Sequence, residues 1–387
     1  MKRVALSTLA LAMLGAASAA HAQSSVTLYG IIDAGLSYTH NVATATGGNA
    51  SSQIGFNDGT MSGDRWGLKG AEDLGGGLQT IFQLENGFDV ATGKLAQGGR
   101  EFGRQAFVGL SSATAGTVTV GRQYDPLVDM VQPLTEDNYF GSIFGTPGDV
   151  DNYDNNFRVN NAIKYVSPTF GGVQAEAMYS FGGIAGNTSG GQTYSLAVSY
   201  TNGGLGLAAG YFNTKSSSPT TFASTADSNQ DGAINQAYSA GARSLGIGRL
   251  GGQYAFGAFT LGASYSNVQY RPLAGQGLFT STESFNSGST FVNYQLNPAT
   301  LLGLGYTYMR SSGVTKANYN EISLGSDYNL SKRTDFYAVL AYEKANGAAL
   351  NATATAAVSA DASIGSYGNP SGNSTQDLLI VGIRHKF

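Results

Sequence analysis

Apolar and polar residues alternate along most of this chain, and this period of two restricts its fold more than any other feature. Near the N-terminus Leu28, Ile32 and Leu36 fall on one parity, whereas Asp33 and Ser37 fall on the other. The alternation recurs in later segments, among them 78–88, 192–201, 259–270 and 335–345. A period of two is typical of β-strands with one apolar and one polar face. Because no helical period is sustained beyond the N-terminal region, the sequence predicts an all-β protein.

Sixteen segments of this kind can be placed along the chain. They lie near residues 25–40, 64–73, 78–88, 101–111, 117–125, 157–167, 173–182, 192–201, 205–215, 243–256, 259–270, 285–296, 301–311, 318–330, 335–345 and 376–387. Short turns between them alternate with long Ser-, Thr-, Asn- and Gly-rich loops, notably 41–63, 125–156, 216–242 and 346–375. Strands of about 9–11 residues, an even strand number, and connections that are short on one side and long on the other are typical of transmembrane β-barrels. The pattern predicts a 16-stranded antiparallel transmembrane β-barrel with short periplasmic turns and long external loops.

Composition decides which face of this wall meets lipid. Asp, Glu, Lys and Arg make up only 12% of the 387 residues, about half of the share found in soluble domains. A barrel of sixteen strands is wide enough to enclose an aqueous lumen. We therefore expect the apolar parity to face lipid and the polar parity to face water inside. Aromatic girdles at the two membrane surfaces are predicted from tyrosines near strand ends, namely Tyr38, Tyr200, Tyr265, Tyr308 and Tyr342.

Several other classes of function are disfavoured by the sequence. The chain has no cysteine, which excludes disulfides and Cys-ligated metal sites, and its net charge of −4 argues against nucleic-acid binding. Gly246 begins a G-x-G-x-x-G run, but a strand rather than a helix follows it. The acids at 149, 151 and 154 lack the twelve-residue pattern of a calcium loop, and no G-x-S-x-G motif occurs. We expect no enzyme activity, no cofactor and no metal site.

The first 22 residues have the features of a secretory signal peptide. Lys2 and Arg3 supply a positive start, residues 4–19 are apolar, and Ala20-His21-Ala22 is a small-x-small cleavage site. The predicted organisation is a cleaved signal peptide at 1–22 and a barrel domain at 23–387, exported through the general secretory route.

Five segments together resemble the trimeric general porins of Gram-negative outer membranes, in the branch typical of β-proteobacteria. They are Ser25-Val26-Thr27-Leu28-Tyr29-Gly30, Arg65-Trp66-Gly67-Leu68-Lys69-Gly70 with Glu72-Asp73-Leu74-Gly75, Arg104-Gln105-Ala106-Phe107-Val108-Gly109-Leu110, Gly116-Thr117-Val118-Thr119-Val120-Gly121-Arg122-Gln123, and Val381-Gly382-Ile383-Arg384-His385-Lys386-Phe387. As an ordered set they span nearly the whole mature chain, so the resemblance is specific.

The resemblance implies a general diffusion channel through which ions and small hydrophilic solutes cross the outer membrane. A substrate-specific channel of the same architecture is the alternative. It also implies a homotrimer, a third external loop folded into the lumen, and a terminal Phe387 that the barrel assembly machinery reads. Outer-membrane lipids and lipopolysaccharide would be further partners.

By the same resemblance, loop 125–156 is the constriction loop, and its acids would face bases on the barrel wall. The loop acids are Asp125, Asp129, Glu136, Asp137, Asp149, Asp151 and Asp154. The candidate basic wall consists of Arg65, Lys69, Arg104, Arg122 and Lys164. Parity directs Arg65, Lys69 and Lys164 into the lumen, whereas an inward Arg122 requires a bulge, which we expect at Gly121.

Two interpretations of these charges remain open from the sequence. They either set up a transverse field across a narrow opening, or they are ordinary solvated lumen charges with no special grouping. In the first case, bases fixed on strands should outweigh loop acids that can turn toward backbone donors. The sequence then predicts a modest preference for anions, which weakens as salt rises because the Debye length shortens from about 10 Å at 0.1 M.

Overall fold

The structure is a computed structural model that describes residues 25–44, 51–227, 234–365 and 371–387, so the predicted signal peptide and its cleavage site lie outside the described residues. The strands are β1 (Ser25–Val42), β2 (Ser51–Asp58), β3 (Arg65–Gly75), β4 (Leu78–Gly87), β5 (Gln105–Ser112), β6 (Gly116–Gln123), β7 (Val159–Val166), β8 (Val173–Ser180), β9 (Thr193–Asn202), β10 (Leu205–Lys215), β11 (Ala242–Phe256), β12 (Phe259–Pro272), β13 (Glu283–Asn297), β14 (Thr300–Ser312), β15 (Ala317–Asn329), β16 (Thr334–Leu350), β17 (Ala357–Ser359) and β18 (Thr375–Lys386).

Antiparallel pairing of consecutive strands closes these segments into one barrel. β1 pairs with β18 from Ile31↔Lys386 to His40↔Asp377, which joins the two ends of the sheet. β2 and β3 act as a single barrel strand, because β2 pairs with the second half of β1 and β3 with its first half. β17 pairs with the end of β16, beyond the part of β16 that pairs with β15. The result is a closed sixteen-stranded antiparallel barrel, as the sequence predicted.

Two of the predicted long loops are partly strand. We expected a loop at 41–63, but this segment contains β2. The end of β16 and the short strand β17 likewise occupy part of the expected loop 346–375. In β2 only Ile54 and Phe56 are apolar, so the alternation is too short to be recognised without its partner strand. Both side chains are exposed on the outer face and lie opposite Tyr38 and Leu36 of β1.

The outer face of the barrel is apolar, as expected. On β16 the outward residues Phe336, Leu340 and Tyr342 are exposed by 47%, 43% and 38%, whereas Tyr337 and Val339 between them are buried. Four of the five predicted girdle tyrosines are also exposed, and Tyr200 is partly exposed. A lipid-facing apolar parity accounts for this exposure, because the bilayer takes the place of a protein core.

Among the described residues, helical structure is confined to short pieces. The α-helical turns are Ala96–Gly99, Pro126–Met130, Asp137–Phe140 and Gln236–Ser239, and 3₁₀ turns occur at Gln132–Leu134, Ser142–Phe144 and Pro147–Asp149. Within the described parts of the chain, no helix has the length and apolarity needed to cross a membrane. Five of these seven pieces lie between β6 and β7, in the stretch that we call the inner segment, residues 124–158.

Candidate pore constriction

The inner segment lies within the ring of strands. Tyr139 donates from its hydroxyl to Gln253 Oε1 of β11 (2.7 Å), Tyr270 of β12 donates to the Val150 carbonyl (3.3 Å), and Ser323 Oγ of β15 donates to the Ile143 carbonyl (3.2 Å). The helix Pro126–Met130 also packs against β9 and β10. Because β9 to β12 and β15 are spread around the wall, only a segment inside the barrel can reach the inward side chains of all of them.

Glycines on the inward face of the wall leave space into which apolar side chains of this segment pack. A Cβ atom built on Gly303 or Gly325 would lie 2.1 or 2.3 Å from the ring of Phe140. A Cβ on Gly210 would lie 2.6 Å from Leu127. A glycine inside a strand often marks a close approach of this kind. The apolar core of the protein therefore lies between the inner segment and the wall.

The substitution Gly325→Ala should loosen the inner segment while leaving the barrel intact. The new methyl group would overlap the Phe140 ring, and overpacking of this kind costs about 1–3 kcal/mol. We expect limited proteolysis to cut within residues 124–158 faster in this variant than in the wild type. Gly288→Ala is the matched control, because a Cβ at Gly288 meets nothing within 4 Å. Equal cleavage rates in the two variants would contradict the close packing of Phe140 against Gly325.

A second inward element interrupts the wall between β2 and β3. The carboxylate of Asp33 accepts hydrogen bonds from the Met61 and Ser62 amides (2.7 and 2.8 Å) and from the Tyr337 hydroxyl (2.6 Å). The Ser142 amide of the inner segment donates to the Thr60 carbonyl at 3.3 Å. Residues 59–64, which we call the wall turn, thus touch the inner segment. Sequence reasoning missed it, although Gly59 and Gly63 at its ends were a usable signal.

A polar cavity of about 500 Å³ lies between the wall turn and the inner segment. Its basic lining residues are Arg65, Arg104 and Arg158. Its acidic lining residues are Asp58, Asp64, Asp129, Asp137 and Asp154. The remaining lining groups are mostly amides, hydroxyls and glycines from the same two elements.

Two of the three arginines donate hydrogen bonds to the hydroxyl of Tyr124. Arg104 Nη2 donates to the Tyr124 hydroxyl at 2.8 Å, and Arg158 Nη2 does so at 3.3 Å with its guanidinium 5.0 Å from the ring centroid. Burial raises the pKa of Tyr124, but the two adjacent cations outweigh it and the net pKa is lowered. Arg104 also pairs with Glu85 at 2.9 Å. Within the described residues, Arg65 and Arg158 form no ion pair.

The other three predicted wall bases do not line this cavity. Lys164 is paired with Asp129 and Glu176 (3.1 Å to the latter), and Lys69 lies over the ring of Tyr29 at 5.2 Å. Arg122 pairs with Asp227 of the loop between β10 and β11. The expected irregularity is present, because the pairing of β6 with β7 shifts register between Gly121 and Gln123. The structure therefore brings together Arg65 and Arg104, with Arg158, and leaves Lys69, Arg122 and Lys164 apart.

The predicted loop acids divide in the same way. Asp129, Asp137 and Asp154 line the cavity, whereas Asp125, Glu136, Asp149 and Asp151 are buried between the inner segment and the wall. Asp125 accepts from the Leu127 amide at 2.8 Å, Asp149 from Asn156 Nδ2 at 2.7 Å and Asp151 from Thr146 Oγ1 at 2.6 Å. Burial raises the pKa of Asp125 to about 6 and that of Glu136 to about 9. These four acids thus hold the segment in place more than they face the lumen.

Arg249 is a functional candidate that sequence reasoning passed over. It lies on β11 inside the G-x-G-x-x-G run, it is buried, and its guanidinium sits 3.6 Å from the centroid of the Tyr153 ring. Its charge acts to lower the pKa values of Asp125, Asp137 and Asp151, against the larger effect of burial. Arg249 therefore anchors the acidic inner segment electrostatically. Its parity, opposite to that of outward Leu250, was the available signal.

Comparison with known proteins agrees with this architecture. A family model described as Gram-negative porin matches residues 7–348. An outer membrane porin protein of Bordetella pertussis is 33% identical, covering 89% of this chain and 94% of the relative, and outer membrane porin protein 32 of Delftia acidovorans is 31% identical, covering 98% and 99%.

Solved structures extend the similarity to the fold. An anion-selective porin from Comamonas acidovorans superposes with a TM-score of 0.71 at 28% identity, covering 94% of this chain and all of that one. OmpT of Vibrio cholerae in its trimer form has a TM-score of 0.65 at 17% identity, covering 94% of this chain and 99% of that one, which is a likeness of fold alone. The chain therefore belongs to the Gram-negative porin family and is an outer-membrane channel for passive diffusion.

Proposed function

We propose that ions and small hydrophilic solutes cross the barrel through the cavity between the inner segment and the wall turn, and that this cavity favours anions modestly. The observation that carries the proposal is the arginine group Arg65, Arg104 and Arg158 at the cavity. The pKa of a free guanidinium lies above about 12, so arginine keeps its charge near neutral pH even where burial and neighbouring cations lower that pKa.

Charge pairing at the cavity keeps this preference modest. Five acids and three arginines line the cavity, and two of these charges are paired, Asp129 with Lys164 and Arg104 with Glu85, which reduces the field of each in the lumen. Burial raises the pKa of Asp64 to about 7, so Asp64 is about half protonated near neutral pH, and raises that of Asp137 to about 6, so Asp137 stays mostly charged there. The similar porin of Comamonas acidovorans is described as anion-selective.

A planar-bilayer recording combined with a liposome-swelling series tests this function. In a potassium chloride gradient the reversal potential should have the sign of an anion-preferring pore. Uncharged sugars of increasing size should enter at rates that fall smoothly and show no saturation. Saturable flux of one solute class would instead favour the alternative, a substrate-specific channel. A closed barrel without conductance would overturn the proposal.

We also propose that the protein works as a homotrimer in contact with outer-membrane lipids and lipopolysaccharide, and that it has no catalytic activity. The trimer form of the similar Vibrio cholerae OmpT supports the first part. The absence of catalytic activity is supported by the sequence, which has no G-x-S-x-G motif. The two histidines of the barrel domain, His40 and His385, lie near opposite ends of their strands and are poorly placed for a catalytic pair.

Phe387 is proposed as the signal by which the barrel assembly machinery recognises the chain. Its amide and carbonyl exchange two hydrogen bonds with Gly30, each 3.0 Å, and its ring packs where a Gly30 side chain would be. Deleting Phe387 should reduce the amount of folded barrel in cells by about tenfold or more, while refolding in detergent is affected much less. Pores that do form should keep wild-type conductance, because Phe387 does not line the cavity. Equal losses in cells and in detergent would point to a purely structural role.

A further inference from the structure

A basic notch lies on the outer face of the barrel, at the loop end of β10, β11 and β12. It has a volume of about 360 Å³ and contains Lys215, Arg243 and Arg271. Lys215 lies opposite Ser244 in the β10–β11 register, and Ser244 lies opposite Arg271 in the β11–β12 register. Two strand spacings therefore separate Lys215 from Arg271, which is roughly 10 Å.

Arg243 enters the notch because of a local irregularity. The register of β11 against β12 shifts between Ala242 and Ser244, on either side of this arginine. A bulge of this kind re-aims a side chain relative to strict alternation. Arg243 is exposed, whereas Ala242 and Ser244 on either side are buried.

The three cations lie beyond the aromatic girdle along the outer wall. Lys215 shares its parity with outward Tyr211, four residues earlier, and Arg271 shares its parity with Tyr265, six residues earlier. At about 3.3 Å per residue these separations are roughly 13 and 20 Å along the strands. Because girdle aromatics mark the edge of the hydrocarbon region, the notch lies at the depth of the charged headgroups.

The surface between the girdle and the notch is polar, which supports this depth. Arg271 Nη2 donates to Gln269 Oε1 at 3.2 Å, and Gln269 Nε2 donates to Asn267 Oδ1 at 3.0 Å. Asn286 Oδ1 then accepts from Asn267 Nδ2 at 2.8 Å and from the Tyr265 hydroxyl at 2.7 Å. A continuous ladder of amides thus leads from the girdle to the notch on the membrane side of the wall.

No acid among the described residues balances the charge of the notch. None of the seven ion pairs found in the described residues involves Lys215, Arg243 or Arg271. In the parts of the chain that the structure describes, the notch is lined by no Asp or Glu, and its other lining residues are Asn187, Ser189, Gly190, Ser216 and Ser244. Guanidinium groups match the oxygens of a phosphate in a two-point contact, and hydroxyl and amide groups add donors around it.

We propose that Lys215, Arg243 and Arg271 bind the phosphate of a phosphorylated glycolipid headgroup in the membrane leaflet beside the loop end of the barrel. The proposal rests on the outer-membrane location of the channel and on the outward placement of its long loops. Basic pockets of this kind at a membrane surface hold anionic headgroups by direct charge pairing. The notch opens on the outside of the wall, so it takes no part in solute passage.

The test compares wild type with the triple variant K215Q/R243Q/R271Q, using the full-length mature protein in detergent and lipid A with two phosphates as the probe. The matched control is R310Q/K316Q/K344Q, which removes three exposed cations outside the notch. Native mass spectrometry counts the retained lipid during titration. We expect lipid A to bind about 100-fold more weakly to the triple variant, at about fivefold per cation, and the control to stay within about threefold of wild type.

Two further arms identify the source of the phosphate. Removing both phosphates from lipid A should weaken its binding to the wild type. The remaining affinity should be no higher than that of intact lipid A for the triple variant. Inorganic phosphate should fail to displace lipid A, and displacement at low millimolar concentration would assign the notch to free phosphate and overturn the proposal. Equal weakening in the control variant would also overturn it, since the effect would then be one of diffuse charge. Conductance recorded in parallel should be equal in all three proteins, and its absence in wild type would count against the channel function only.

Discussion

Deleting the residues between Val131 and Asp149 and joining the ends with a short Gly-Ser linker should raise single-channel conductance at least about twofold and admit larger sugars. The deleted stretch supplies Asp137, Asn138, Gly141 and Ser142 of the cavity lining. A sixteen-stranded wall without an inner plug leaves a wide aqueous channel. Planar-bilayer conductance and liposome swelling with a sugar-size series measure the two effects.

The control for this deletion is the removal of residues 184–188 from the exposed loop between β8 and β9. That loop does not line the cavity, so its loss should leave conductance and size cutoff unchanged. The barrel should still fold in both variants, because the pairing between the strands of the wall remains. If deletion of the inner stretch leaves the sugar cutoff where it was, the narrowest point of the channel is elsewhere.

Neutralising Arg65 and Arg158 together should move the reversal potential in a salt gradient toward cation preference. Both guanidiniums line the cavity, and neither forms an ion pair among the described residues, so their charge acts on the passing ion. Fixed charges act within about one Debye length, roughly 10 Å at 0.1 M and 3 Å at 1 M salt. The shift measured for R65Q/R158Q should therefore be largest in dilute salt and nearly vanish at 1 M.

The choice of arginines depends on the structure, because the sequence alone grouped Arg65, Lys69, Arg104, Arg122 and Lys164 as one basic wall. Arg104 is held by Glu85, so its removal would leave a buried carboxylate unpaired, which destabilises by several kcal/mol. Arg122 is paired with Asp227 and lies outside the cavity lining. R122Q is therefore a control that should barely move the reversal potential. A shift as large as that of R65Q/R158Q would mean that selectivity reflects the overall charge of the lumen.

Most of the wall could be predicted because the membrane imposes a strict local rule. Lipid requires one face of each strand to be apolar and every backbone group to be paired, so each strand carries its own period-two signal. The rule failed at β2, where eight residues contain only Ile54 and Phe56 as apolar members. That strand is recognised through its pairing with β1, which is a contact between distant parts of the chain.

The inner segment shows the limit of local patterns more clearly. No periodicity along the chain predicts its short turns or its contacts with the wall. These contacts include the packing of Phe140 against Gly303 and Gly325 and of Tyr153 against Arg249. Parity correctly indicated that Lys164 points inward, yet it could not reveal that Asp129 and Glu176 would pair with it. The acids of the segment were all treated alike, although only Asp129, Asp137 and Asp154 line the cavity and the other four pack between the segment and the wall.

The sequence by itself determined that this protein is a sixteen-stranded membrane barrel with an apolar outer face, because strand period and the requirements of lipid act on each residue and its near neighbours. Only the tertiary structure decided which charges meet in the lumen. Arg104, Tyr124 and Arg158 converge because the inner segment folds back across the barrel, and the wall turn meets it through Thr60 and Ser142. Such contacts join residues that are distant along the chain, so their energies depend on the closed barrel and leave no local signature in the sequence.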